Sequence, residues 1–168
     1  MKKLLISFFV SFFFLVGCFS NSPKTSSDRA DIIRWAKEIA SIQHRFEIIT
    51  SNYDSLNQVI RKRPPTKSEL SQLTTYVNDV IELYNELDSF TPPKEALSIH
   101  AKYVESLSQA SNTILYYKIA VSNNDITYFE KSLNASYESN RLSSEGYNSF
   151  VDLIDKYSIS CEEINFCE

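Results

Sequence analysis

Glycine is all but missing from this chain, and that scarcity narrows the fold more than any residue present. Only Gly17 and Gly146 occur in 168 residues. Tight strand hairpins draw on glycine for positive φ, so the chain is poorly equipped to form a sheet. A glycine-rich phosphate loop is absent as well. Histidine is equally scarce, with His44 and His100 alone. Bundles that hold paired metals repeat Glu-x-x-His on facing helices, but here Ser41 and Leu97 stand three residues before the histidines. No Cys-x-x-Cys-His occurs, which removes c-type haem. Neither metal nor cofactor is expected. Catalytic residues are not expected either: there is no nucleophile elbow, and carboxylates such as Glu38, Glu82 and Glu105 fall on solvated helix faces. The formal net charge is −4, which leaves no footprint for nucleic acid.

Proline punctuates what remains. Ile32, Trp35, Ile39, Ile42, Phe46, Ile49, Tyr53, Leu56 and Ile60 alternate steps of three and four, predicting one helix over residues 28 to about 62. Pro64-Pro65 ends it. Thr66-Lys67-Ser68-Glu69 reads as a capping box for a second helix along Leu70, Leu73, Val77, Val80, Tyr84 and Leu87. Thr91 is the expected cap of a third helix, with Pro92 in its first turn and a stripe from Ala96 to Val121. The polar turn at residues 122–125 caps a fourth, through Ile126, Phe129 and Leu133, then Tyr147, Phe150, Ile154 and Tyr157. Short connections force sequence neighbours to pack antiparallel. The expected fold is all-α, an antiparallel up-down-up-down four-helix bundle over residues 28–158. The second helix spans about 35 Å against about 52 Å for the first, so the first should overhang near its start.

The N-terminus has a different grammar. Lys2 and Lys3 precede an uncharged run from Leu4 to Val16, and Gly17 and Cys18 follow. A basic start, a short apolar middle and small residues at the cut are secretory-signal anatomy. The run of about 13 residues falls short of the roughly 20 that span a bilayer. Leu15-Val16-Gly17-Cys18 resembles the lipobox of bacterial lipoproteins at all four positions. That resemblance implies cleavage of residues 1–17, attachment of a palmitate-bearing lipid to Cys18, and residues 18–27 as a tether. It places the protein in the cell envelope on the periplasmic side. Phe19, rather than the Asp associated with inner-membrane retention, tilts this towards the outer membrane. Loss of Lys2 and Lys3 takes the net charge from −4 to −6, so the lipid rather than surface charge would hold it to anionic membranes. The rest of the chain, through Thr91 to His100, resembles small uncharacterised helical lipoproteins, which transfers no residue roles. Cys161 and Cys167 remain in the tail of residues 159–168. An even pair in an exported protein suggests a disulfide closing a small loop.

Three candidate sites stand out. The stripe of the fourth helix breaks at Ser136, Asn140 and Ser143, among further serines. Close helix packing, a rotated face carried by Tyr137 and Leu142, and a polar-lined pocket for a small ligand all fit. Arg61-Lys62-Arg63 is the one dense basic cluster, either solvated at a helix end or a docking tip. Tyr116, Tyr128 and Tyr137 fall off the stripes and are interface candidates, while Tyr53, Tyr84, Tyr103, Tyr117 and Tyr147 read as core-edge residues with hydroxyls in water. The leading expectation is a lipid-anchored, non-enzymatic envelope protein that docks a protein partner at the membrane surface, as an assembly, inhibitor, immunity or exclusion factor. The alternative is a small-molecule carrier or sensor with its pocket inside the bundle.

Overall fold

The computed structural model describes residues 26–166. Four helices carry the described chain: α1 (Ser26–Ile60), α2 (Lys67–Ser89), α3 (Leu97–Asn123) and α4 (Ile126–Lys156). Short 3-10 turns precede α3 (Lys94–Ala96) and close the tail (Glu162–Ile164). The expected all-α four-helix bundle is what the chain forms. Cross-helix pairs give the run of each element. Arg45 meets Glu86 at 2.6 Å while Arg63 meets Glu69 at 2.6 Å, so α1 and α2 run in opposite senses. Trp35 reaches His100 and Tyr53 packs on Tyr117, so α1 and α3 run together.

Local chemistry sets the boundaries. The Thr66 hydroxyl accepts from the Glu69 amide and the Glu69 carboxylate accepts from the Thr66 amide, the capping box read from the sequence. Asn124 adopts φ 52°, ψ 47° to end α3, and Asp125 caps α4 by accepting from the Thr127 amide. The start of α3 differs from expectation. Thr91 does not cap it and Pro92 is not helical, because each precedes a proline, whose ring clashes with helical backbone before it. Pro93 is extended at φ −60°, ψ 153°, and the chain first tightens at Lys94–Ala96.

The core is built from the predicted stripes, with Ile32, Trp35, Leu73 and Val80 wholly buried. The stripe of α4 holds in its second half, where Phe150, Ile154 and Tyr157 are buried, and shifts in its first: Ile126, expected inside, is 73% exposed, and Ser132, Ala135, Ser136, Ser139, Leu142 and Gly146 are buried. α1 does not project bare beyond α2. Its first turns are clasped by the tail, where Arg29 holds both Glu163 carboxylate oxygens at 2.8 Å and donates to the Tyr157 and Ser158 carbonyls. Ile159 and Ile164 complete the core at that end. α1 also begins at Ser26, two residues inside the expected tether. No helix among the described residues is long and apolar enough to cross a membrane.

Candidate functional site

α3 and α4 pack more intimately than any other pair, and serine makes that possible. The Ser106 hydroxyl donates to the Ser139 carbonyl at 3.0 Å, and the Ser139 hydroxyl donates back to the Ser106 carbonyl at 2.9 Å. Two turns further along, the Ser132 hydroxyl donates to the Thr113 carbonyl at 2.9 Å. Small side chains let the backbones approach, and each hydroxyl is satisfied across the interface rather than within its own helix. The rotated-face reading fails on Tyr137, which is 67% exposed. Ser136 is buried and does not line the cavity described next.

Beyond the seam the bundle opens. α1 and α4 are not closed along their middle; Trp35 against Phe150 at 5.7 Å bridges them near one end. Between α1, α3 and α4 lies a partly open cavity of about 510 Å³, within the range of small-molecule sites. Along α1 it runs from Ile39 to Tyr53, about 21 Å of helix. Its walls are apolar side chains such as Ile42, Phe46, Leu107 and Ile114, and Asn140 and Ser143 of α4 join them. This explains why Phe46, on the stripe, is only half buried.

Tyr103 lines the same cavity, and its hydroxyl is buried without a hydrogen-bond partner. Burial pushes the phenol pKa well up, and nearby Tyr147 adds to the rise. The expectation that this hydroxyl reaches water is therefore wrong. Its ring lies against α4 where Gly146 leaves room. Tyr53 and Tyr117 are likewise buried, with rings edge to face at 5.9 Å. Tyr103 escaped notice because a stripe tyrosine reads as packing; only the relation of α3 to α4 buries its polar end.

The surface candidates are less united. Arg63 is engaged with Glu69 through two hydrogen bonds, of 2.9 and 2.6 Å. Arg63, then the Thr66 amide, draw the Glu69 carboxyl down to about 2. The Arg61 charge lies beside Asp54 and Tyr117. Lys62 is exposed. Tyr116 and Tyr128 are half-buried with their rings tilted against each other at 5.9 Å, and the Lys131 ammonium lies 4.4 Å from the Tyr128 ring centre. Tyr137 follows Tyr128 by nine residues, which places it on the opposite side of α4. No shared patch results. His44 is exposed, and His100 is buried as a partner of Trp35. No cluster of three potential metal ligands occurs among the described residues. Cys18 and Cys167 lie outside the described residues, and with them the lipid site and the Cys161–Cys167 pairing. No protein-family model, curated protein or solved structure matches this chain.

Proposed function

We propose that this chain is a lipid-anchored bacterial envelope protein that works by binding, holding a small molecule in the cavity between α1, α3 and α4. The observation that carries the reading is the cavity itself: about 510 Å³ and mostly apolar-walled, with Asn140 and Ser143 of α4 in its lining. Docking of a protein partner, the other expectation, has less behind it, because Arg63 of the basic tip is paired with Glu69 and the tyrosines face two sides. Lipidation at Cys18 and a Cys161–Cys167 disulfide belong to the same proposal. They are supported by the Leu15-Val16-Gly17-Cys18 motif and by the even cysteine pair left after it.

The test is native mass spectrometry of the protein taken gently from its own envelope. A mass that leaves on denaturation is expected, and Asn140→Leu should lose it while the fold stays as stable or becomes more so. A bare mass would sink the carrier reading and turn the search to cross-linked surface partners. Cys18→Ala should mislocalise the protein, and thiol labelling of Cys161 and Cys167 in the exported chain would refute the bridge.

A further inference from the structure

Resting on that binding role, we infer that the ligand is a small organic monocation, seated on its apolar face with its charge turned outwards to Glu47. Depth decides the arrangement. Ile39, Ile42, Tyr53, Leu107, Ala110 and Ile114 line the cavity and are buried. The polar side chains at that depth are closed to a guest. Thr113 donates to the Gln109 carbonyl, Ser106 and Ser139 donate to each other's carbonyls, and the Tyr103 hydroxyl is sealed from solvent. A polar atom pushed to this floor would give up water and find no partner, which is costly. The buried face of the ligand is therefore apolar.

The open polar groups run along the two rims instead. Gln43, Glu47, Thr50 and Ser51 form a line along α1, about a quarter turn round the helix from Ile42 and Phe46. Glu47 and Ser51 are exposed there, and Asn140 and Ser143 stand half-buried on the α4 side. Charge then decides the class. Glu47 is the one charged side chain in the lining, and no lysine, arginine or histidine joins it. Among the described residues its carboxylate has no ion pair and takes only the Gln43 amide, at 3.4 Å. The arginines of the same stretches of α1 and α4 are spent elsewhere: Arg45 holds Glu86 of α2, and Arg141 lies between Glu138 and Glu145. An anion at this mouth meets an uncompensated carboxylate, whereas a cation meets its counter-charge. One carboxylate matches one positive charge, which favours a monocation over a polyamine.

The experiment titrates the purified full chain at neutral pH with 1-naphthylmethylamine, 1-naphthalenemethanol and 1-naphthoate, one ring system carrying positive, neutral and negative heads. Calorimetry reads the affinities. The amine should bind best and the alcohol next. Naphthoate should bind weakest, about tenfold below the amine, and added salt should narrow that spread. Glu47→Gln should bring the amine down to the alcohol while leaving the alcohol's own affinity unchanged, which loss of a merely structural carboxylate would not do. Glu47→Lys should reverse the order of amine and naphthoate. Thr50→Trp, at a half-buried position outside the core, should plug the cavity and abolish binding of all three. Equal affinity for amine and naphthoate, or an amine preference that survives Glu47→Gln, overturns the cation assignment while leaving the cavity as a site. Unchanged binding in Thr50→Trp overturns the cavity as the place. If no probe binds but the envelope-derived protein carries a removable mass, the monocation class is wrong and the binding role stands. If that mass is missing too, the binding role falls with it.

Discussion

Trp35 and His100 each bury a polar nitrogen, and each answers the other. The indole N–H donates to His100 Nδ1 at 3.3 Å in a site where the imidazole is 7% exposed. Burial holds the His100 pKa below its ordinary 6.5, against the opposing pull of Asp88 and of hydrogen bonding to the Leu87 backbone. The unfolded chain therefore takes up a proton near pH 6.5 before the folded one does, and stability falls as pH drops through that value. Thermal melts at pH 7.5 and 5.5 should show this fall, and His100→Gln should flatten it across the same window. An unchanged slope in the variant would assign the effect elsewhere. That His100 belongs at the edge of a core was legible from its place beside the stripe of α3. Its bond to Trp35 was not, because it depends on how far α1 is slid along α3, a quantity no local pattern encodes. The same holds for the buried hydroxyl of Tyr103.

Elements were legible wherever backbone chemistry is local. The capping box at Thr66, the stop at Pro64-Pro65 and the turn at residues 122–125 all depend on neighbours in sequence, and all stand where they were expected. α4 was legible as a helix, but in its facing only over its second half, where Phe150, Ile154 and Tyr157 are buried as expected. Periodicity counts large apolar side chains, whereas from Ser132 to Gly146 the inner face is mostly serine, alanine and glycine, valued for smallness. Two predictions belong here. Ser139→Leu inserts bulk into the closest helix pair and should destabilise by about 1–3 kcal/mol in urea titrations. Gly146→Ala should do the opposite. Its added Cβ would sit 3.5 Å from the Tyr103 ring, an ordinary contact, and a helix-interior glycine is worth about 0.5–1 kcal/mol less than alanine. A loss of stability in Gly146→Ala would mean that Tyr103 cannot yield even at that distance.

At the scale of the molecule, the tail and the start of α1 hold each other. Arg29 serves two carbonyls and the Glu163 carboxylate at once. Hydrogen bonding from the Ser160 backbone, then from Arg29, holds the Glu163 carboxyl below its ordinary range. Its contribution is present above about pH 4.5 and is lost as acid protonates it. Arg29→Ala should lower stability by about 1 kcal/mol, the exposed ion pair counting for little and the carbonyl bonds for more. It should also speed cleavage after Glu162 and Glu163 by a glutamate-specific protease. The cavity was the least legible feature, since the gap between α1 and α4 is set by the seam of α3 with α4 and by the clasp at the far end.

The same gap fixes the order in which the molecule comes apart. From residue 43 to residue 52 no side chain of α1 is fully buried, while α3 and α4 are bound by reciprocal serine bonds. Local opening follows the sparsest packing. Backbone amides in that stretch of α1 should exchange with deuterium well ahead of those in α3 and α4, and a bound guest should slow them first. The helix that walls the cavity is thus also the one whose brief departures set how quickly a guest comes and goes.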